Sequence, residues 1–215
     1  MSDSATTIDF GAVIDININT LVAQLCNYIN KNPFHGFIEV VPAYASLTVF
    51  YDVIQVKKDF KSANTAYEIV ENYLSEALKN IELTEKAQPT LIEIPVVYDG
   101  EDLPFVAAHN QLSIEDVIKI HSQPTYRVYM MGFLPGFAYL GGLDERIATP
   151  RKQTPRVKVP AGSVGIAGKQ TGIYPLESPG GWQLIGHTTT SLFSVGERNT
   201  TLLKAGDWVK FIPIL

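Results

Sequence analysis

The sequence predicts an α+β chain of two domains, and three observations carry that reading. The first 81 residues pass through strand-like and helix-like patterns in the order β-α-β-β-α. The stretch from Gly132 to Thr188 is dense in glycine and proline, with short β-prone runs between them. Residues 82–89 (ELTEKAQP) are polar and separate the two patterns. Domains are therefore expected at 1–85 and 90–215.

The elements follow in order. Ala5 to Phe10 reads as a short strand ended by Gly11. From Asn17 to Ile29, the residues Ile18, Leu21, Val22, Leu25 and Ile29 form the i, i+3, i+4, i+7 stripe of an amphipathic helix, with Pro33 as a stop. Phe37 to Val41 and Ser46 to Tyr51 are strands parted by Pro42-Ala43. Ala63 to Ile81 repeats the helical stripe through Ala66, Ile69, Val70, Tyr73, Leu74, Ala77 and Leu78. Leu91 to Tyr98 adds a strand, which gives the order of a ferredoxin-like split βαβ unit. Asp102 to Ser122 predicts two short helices, the second opened by Ser113-Ile114-Glu115-Asp116. This resembles a capping box with Asp in place of the usual Glu or Gln. Tyr126 to Met131, Val157 to Val159, Val164 to Ala167, Trp182 to Ile185, Ser191 to Ser194 and Trp208 to Ile212 are β-prone. So many short strands between turn signals predict a β-barrel or sandwich.

Composition narrows the function. With 46% hydrophobic and 18% charged residues, the chain has the material for a core and is not of the disordered class. A net charge of −5 opposes nucleic-acid binding, and with it a helix-turn-helix reading of 102–122. The single cysteine, Cys26, rules out an internal disulfide and a CxxC metal site. No metal site is expected. No apolar run reaches the roughly 18 residues of a membrane helix, and MSDSATTIDFG lacks the features of a signal peptide. A cytoplasmic protein is expected.

The chemistry concentrates in 132–188. There is no GxxxxGK[ST], HExxH or GxSxG motif. Ser163 lies between glycines; as a nucleophile it needs a base within about 3 Å, His187 or His109, and otherwise it caps its own turn. Arg151, Lys152, Arg156 and Lys158 form a basic group spaced by Pro150 and Pro155. In a strand Arg156 and Lys158 share a face, where they can hold a carboxylate or phosphate; the alternative is a solvated loop. His187 follows the run Trp182 to Gly186 and is either a general base or a histidine hydrogen-bonded beneath a loop. Gln170, Thr171 and Tyr174 line the same stretch as polar candidates. His109-Asn110 reads more as a helix cap than as a catalytic pair, and His35 and His121 read as surface or boundary residues. Backbone N–H groups at the glycine turns offer an oxyanion or phosphate nest.

Several long motifs carry a resemblance. GFLPGFAYLGGL, TPRKQTPRVKVPAGSVGIAGKQTGIYP and SPGGWQLIGHT, with VVPAYASLTVFYD and IPVVYDGEDLPFVAAHN before them, closely resemble the family of the 5-oxoprolinase B subunit. That family is also described as a kinase inhibitor family and as the first subunit of allophanate hydrolase. The resemblance covers nearly the whole chain. It implies a ferredoxin-like N-terminal domain, a cyclophilin-like C-terminal β-barrel, and a companion C subunit with a related barrel. With the A subunit, such a complex opens 5-oxoproline to glutamate at the expense of ATP. Some members instead block autophosphorylation of a histidine kinase, and urea carboxylase carries a related pair of domains. The YDGEDLPFV segment is a few residues shorter than in the family, and position 187 is there histidine or arginine.

On this footing Arg151, Arg156 and Lys158 are expected to hold anionic oxygens. Gln170, Thr171 and Tyr174 are expected to orient the substrate, aided by Ser163, His109 and Asn110, while His187 moves a proton. Arg156→Ala is expected to abolish turnover without unfolding the protein.

Overall fold

The computed structural model describes residues 4–11, 15–58, 65–81, 89–196 and 200–214. The chain divides into two compact units, Met1–Gln88 and Pro89–Leu215.

The first unit contains β1 (Ala5–Asp9), α1 (Ile16–Lys31), β2 (Phe37–Pro42), β3 (Ser46–Tyr51), α2 (Val53–Lys58) and α3 (Ala66–Ile81). Asp15 starts α1 by accepting from the backbone N–H groups of Asn17 (2.7 Å) and Ile18 (3.0 Å), which would otherwise lack partners. Val22, Leu25 and Ile29 form its buried stripe. Thr65 and Glu68 cap α3 reciprocally: Glu68 N–H donates to Thr65 Oγ1, and Thr65 N–H donates to the Glu68 carboxylate. Residues 63 and 64, predicted as its start, lie outside the described residues, as do 82–88. The sheet has the order β1-β3-β2, with β3 antiparallel to both neighbours. Leu47, Val49 and Tyr51 alternate along β3 into a core shared with α1 and α3.

The second unit contains β4 (Leu91–Val97), α4 (Leu103–His109), α5 (Ile114–Ser122), β5 (Thr125–Met131), β6 (Ala138–Gly141), a 3-10 turn (Glu145–Ile147), β7 (Arg156–Val159), β8 (Ser163–Ala167), β9 (Gln170–Ile173), β10 (Ser178–Gly180), β11 (Gln183–His187) and β12 (Trp208–Ile214). Seven strands close a barrel in the order β11-β4-β12-β5-β6-β9-β8. Of the two all-β alternatives, the barrel is the one that forms. The sequence order offers β4 as a strand of the first unit, but it pairs in the barrel, parallel to β12 over its whole length and antiparallel to β11. The interior is filled by apolar side chains, including Ile94, Val128, Leu140, Ile166, Val209 and Phe211.

Two glycines are fixed by close approach. A Cβ on Gly186 would lie 2.4 Å from the carbonyl oxygen of Val97, so β11 reaches β4 only without a side chain there. A Cβ on Gly180 would lie 2.3 Å from the Tyr174 hydroxyl oxygen.

Five short elements, α2, β6, the 3-10 turn, β9 and β10, go beyond the predicted set. Residues 191–194, predicted as a strand, hold a single bridge between Phe193 and Thr201. Among the described residues no helix is long and apolar enough to cross a membrane.

Candidate functional site

The glycine- and proline-rich stretch folds as β6 to β11. Outside the barrel wall it leaves a two-stranded ribbon, β7 with β10. Between ribbon and barrel lies a separate aromatic cluster built on Phe137, Tyr174 and Trp182, with Tyr139 packed against it. Phe137 meets Trp182, Tyr174 and Phe133 edge-on, with centroids 5.5 Å apart in each pair. The electropositive ring edge lies on the electronegative face in such contacts, which fixes orientation as well as burying area.

These rings line a cavity of about 240 Å³, together with Arg151, Pro155, Pro179, Gly180 and Gly181. The Arg151 guanidinium carbon stands 5.9 Å from the Trp182 ring centroid, within cation–π reach. Burial pushes the Tyr174 phenol above its ordinary value, against a backbone hydrogen bond from Trp182 and the charges of Arg151 and Arg156. Phe133 sits at the mouth, 60% exposed, with φ +72°. Leu134 N–H donates to the Gly132 carbonyl at 2.9 Å and closes a three-residue turn around it.

Beside this pocket lies a groove of about 500 Å³, lined by Asp102, Phe105, Pro150, Arg151, Lys152, Gln153, Thr154 and Gln183. Its floor is an ion cluster on Asp102, whose side chain is only 7% exposed. Asp102 accepts from the Leu184 N–H at 2.7 Å, from Lys152 Nζ at 3.0 Å and from Arg156 Nη2 at 2.5 Å. Burial alone would raise its carboxyl; the Leu184 N–H, Lys152 and Arg156 outweigh burial and hold it below the usual range. Arg156 also donates Nε to Glu101 (2.5 Å) and Nη1 to the Trp182 carbonyl (3.2 Å). All three of its nitrogens are therefore engaged within the protein.

The predicted basic group is thus not four equivalent cations. Lys152 and Arg156 are taken up by Asp102 and Glu101, and Lys158 pairs with Glu177 at 2.9 Å. Among the described residues no carboxylate pairs with Arg151.

The other candidates scatter. Exposed His187 at the end of β11 shares its Nδ1 with Asp99 Oδ1 at 2.8 Å and lines neither cavity. The carboxylate accepts, so Nδ1 donates and Nε2 stays open. Strand register sets Ser163 opposite His187, but Ser163 is buried. Thr171 is wholly buried, and its Oγ1 donates to the Gly165 carbonyl at 2.9 Å. Gln170 lies on β9 at the barrel wall, half-buried. Asn110 caps α4 and donates Nδ2 to the Val106 carbonyl and to Thr149 Oγ1. His109 stacks on Phe105 at the edge of the groove, with ring centroids 5.8 Å apart.

His121 corrects a sequence expectation. It is fully buried in the barrel core, stacked on Phe211 at 4.6 Å, rather than at the surface. Its Nδ1 lies 2.8 Å from the Tyr98 hydroxyl and its Nε2 2.8 Å from Thr171 Oγ1. Thr171 spends its one proton on Gly165, so it must accept from His121. Nε2 therefore carries hydrogen, and Nδ1 accepts from Tyr98. Burial pushes this imidazole down to about 3, so the ring is neutral.

Of the predicted residues, Arg151 and Tyr174 meet in the pocket, while Asp102, Asp99 and the other aromatic walls were missed from sequence. The acidic pair Glu101-Asp102, set before a helix and unmatched by local cations, was the available signal for the first. The recurring rings of GFLPGFAYL were the signal for the walls.

The family of the carboxyltransferase domain, subdomain C and D, matches residues 1–203, and the chain belongs to it. Within that class, the chain is 50% identical to the 5-oxoprolinase B subunit of Bacillus subtilis (strain 168) over 218 residues, which take in 100% of this chain and 91% of the relative. The crystal structure of TTHA0988 superposes with a TM-score of 0.86 at 35% identity, over 98% of this chain and 40% of that one. The urea amidolyase of K. lactis shares the fold, with a TM-score of 0.76 at 20% identity over 99% of this chain and 14% of that one.

Proposed function

We propose that the chain is the B subunit of an ATP-dependent 5-oxoprolinase that opens 5-oxoproline to L-glutamate with companion C and A subunits. The observation that carries this is the 50% identity to the B. subtilis protein along the whole chain. In this reading the protein is cytoplasmic, works as part of a hetero-oligomer and is inactive alone. The first unit corresponds to its ferredoxin-like domain without the last strand, since β4 pairs in the barrel, and residues 90–215 correspond to its cyclophilin-like barrel.

An unstrained lactam is a poor electrophile, and ATP supplies the driving force for its opening. The phosphate-loop motif is missing and the aromatic pocket is small for a nucleotide. In this reading ATP is handled on a companion protein, and this chain's residues bind and orient the ring. His187, held by Asp99 through Nδ1, lines neither the pocket nor the groove, so in this reading it takes no part in the opening of the ring. Arg156 works through Asp102, fixing the 150–156 loop, and does not touch substrate.

The test is ATP-dependent glutamate release from 5-oxoproline by purified A and C subunits, with and without this chain. Release only in its presence is expected. Equal release without it would overturn the assignment. Neither kinase inhibition nor allophanate handling is favoured by any feature of the site.

A further inference from the structure

We infer that the aromatic pocket between β6, the ribbon and β11 is the seat of the 5-oxoproline ring, with Arg151 as the counter-ion of its carboxylate. This rests on the 5-oxoprolinase reading but makes a separate claim about where on this chain the substrate binds.

Four observations converge. At about 240 Å³ the cavity is below the roughly 300 Å³ at which pockets begin to suit drug-sized ligands, which selects a small ring and excludes a nucleotide. Its walls are ring faces and edges, suited to a flat five-membered lactam rather than a flexible chain. A carboxylate on that ring needs a cation, and Arg151 lines the pocket without a carboxylate partner among the described residues. The neighbouring loop is already anchored: Lys152 N–H donates to the Gly181 carbonyl at 2.8 Å and its ammonium to Asp102. Arg151 is thereby held at the mouth without its own charge being consumed.

The fourth observation is Phe133. A bulky aromatic residue at φ +72° is a backbone outlier, costly unless its surroundings require it. Here it leaves a large ring 60% exposed at the mouth of the cavity. A ring so placed can pack against a ligand that enters the pocket.

Trp182 provides the readout. The chain has two tryptophans, so a Trp208→Phe background leaves Trp182 as the only indole reporter. Titration with 5-oxoproline is expected to give a saturable fluorescence change. 2-Pyrrolidinone, the same lactam without the carboxylate, should bind at least about tenfold more weakly, the scale of one charge-assisted hydrogen bond. Arg151→Met should weaken 5-oxoproline to the level of 2-pyrrolidinone and leave 2-pyrrolidinone unchanged.

In the assembled enzyme, Arg151→Met should raise KM for 5-oxoproline at least about tenfold with KM for ATP unchanged. An unaltered 5-oxoproline KM, with glutamate release still dependent on this chain, overturns the pocket and leaves the function standing. If release proves independent of this chain, the function falls and the titration alone decides. Arg151-dependent binding then sustains the pocket as a ring-carboxylate site, and its absence overturns that too.

Discussion

Arg156→Ala separates two accounts of the basic group. If Arg156 held substrate, its loss would remove turnover and spare the fold. The structure gives it three internal contacts instead, and their worth can be weighed one by one. The Glu101 contact counts for little, because Glu101 is 64% exposed and solvent screens the pair. The Asp102 contact counts for more, with the two side chains 14% and 7% exposed. Removing one partner of a buried pair costs about 3–5 kcal/mol. Asp102 keeps Lys152 and the Leu184 N–H, which places the loss near the lower end, about 3 kcal/mol. For a unit of this size 1 kcal/mol moves Tm by roughly 3–6 °C, so a drop on the order of 10 °C is expected. Urea unfolding of Arg156→Ala, Asp102→Asn and the double variant measures the coupling directly. The double variant should be less destabilised than the two single losses added together, by at least about 1 kcal/mol. A Tm within a degree of the parent, or strict additivity, would refute the ion cluster as the element that fixes this loop.

Three further outcomes follow from the same geometry. Thr171→Val removes the acceptor of His121 Nε2–H and the donor to the Gly165 carbonyl; leaving two buried groups unpaired should cost about 2–4 kcal/mol in urea unfolding, with Thr171→Ser largely restoring it. His121 titrates lower in the folded state than in the unfolded chain, so the unfolded state binds more protons and stability falls as pH drops from about 6.5 towards about 3. Asp102, also depressed, adds a loss below the ordinary carboxylate range. Asp102→Asn should flatten the lower part of a stability-against-pH curve and leave the upper part in place. Gly186→Ala would set a Cβ 2.4 Å from the Val97 carbonyl oxygen and should part β11 from β4, seen as loss of cooperative thermal unfolding.

The fold was legible where side-chain periodicity is strong. Helices α1 and α3 bury the stripes their sequences show, and Ser113 caps α5 by accepting from the Asp116 N–H at 3.0 Å, while the Asp116 carboxylate accepts from the Ser113 hydroxyl at 2.8 Å and not from its backbone N–H as a full box would. Short strands were harder. β6 and β9, four residues each, carry glycine and no alternation, because both faces are covered within the barrel. His121 was legible in principle: Val117, Ile120 and His121 form the i, i+3, i+4 buried face of α5, and treating histidine as polar hid it. The site was legible as a stretch and not as a set of contacts. Sequence brings Arg151, Lys152, Arg156 and Lys158 together, while Asp102, some 50 residues earlier, decides which of them keeps its charge for a ligand.

That division of labour explains why one segment carries so many cations on an acidic protein. A loop broken by Pro150 and Pro155 cannot be held by a ladder of backbone hydrogen bonds, since each proline lacks a donor. Lys152 and Arg156 supply the missing anchorage by reaching a carboxylate at the start of α4, and that carboxylate is in turn oriented by the Leu184 N–H of β11. The same strand follows directly on Trp182, and the Trp182 carbonyl accepts from Arg156. The clamp therefore ties together the loop that carries Arg151 and the indole beneath it. Lysine at position 151 would keep the charge but lose the flat guanidinium, which lies within cation–π reach of the indole and can meet a carboxylate with two parallel donors. Arg151→Lys should for this reason recover only part of the 5-oxoproline affinity lost in Arg151→Met. Full recovery would mean that charge alone, and not the fork held over Trp182, selects the ligand.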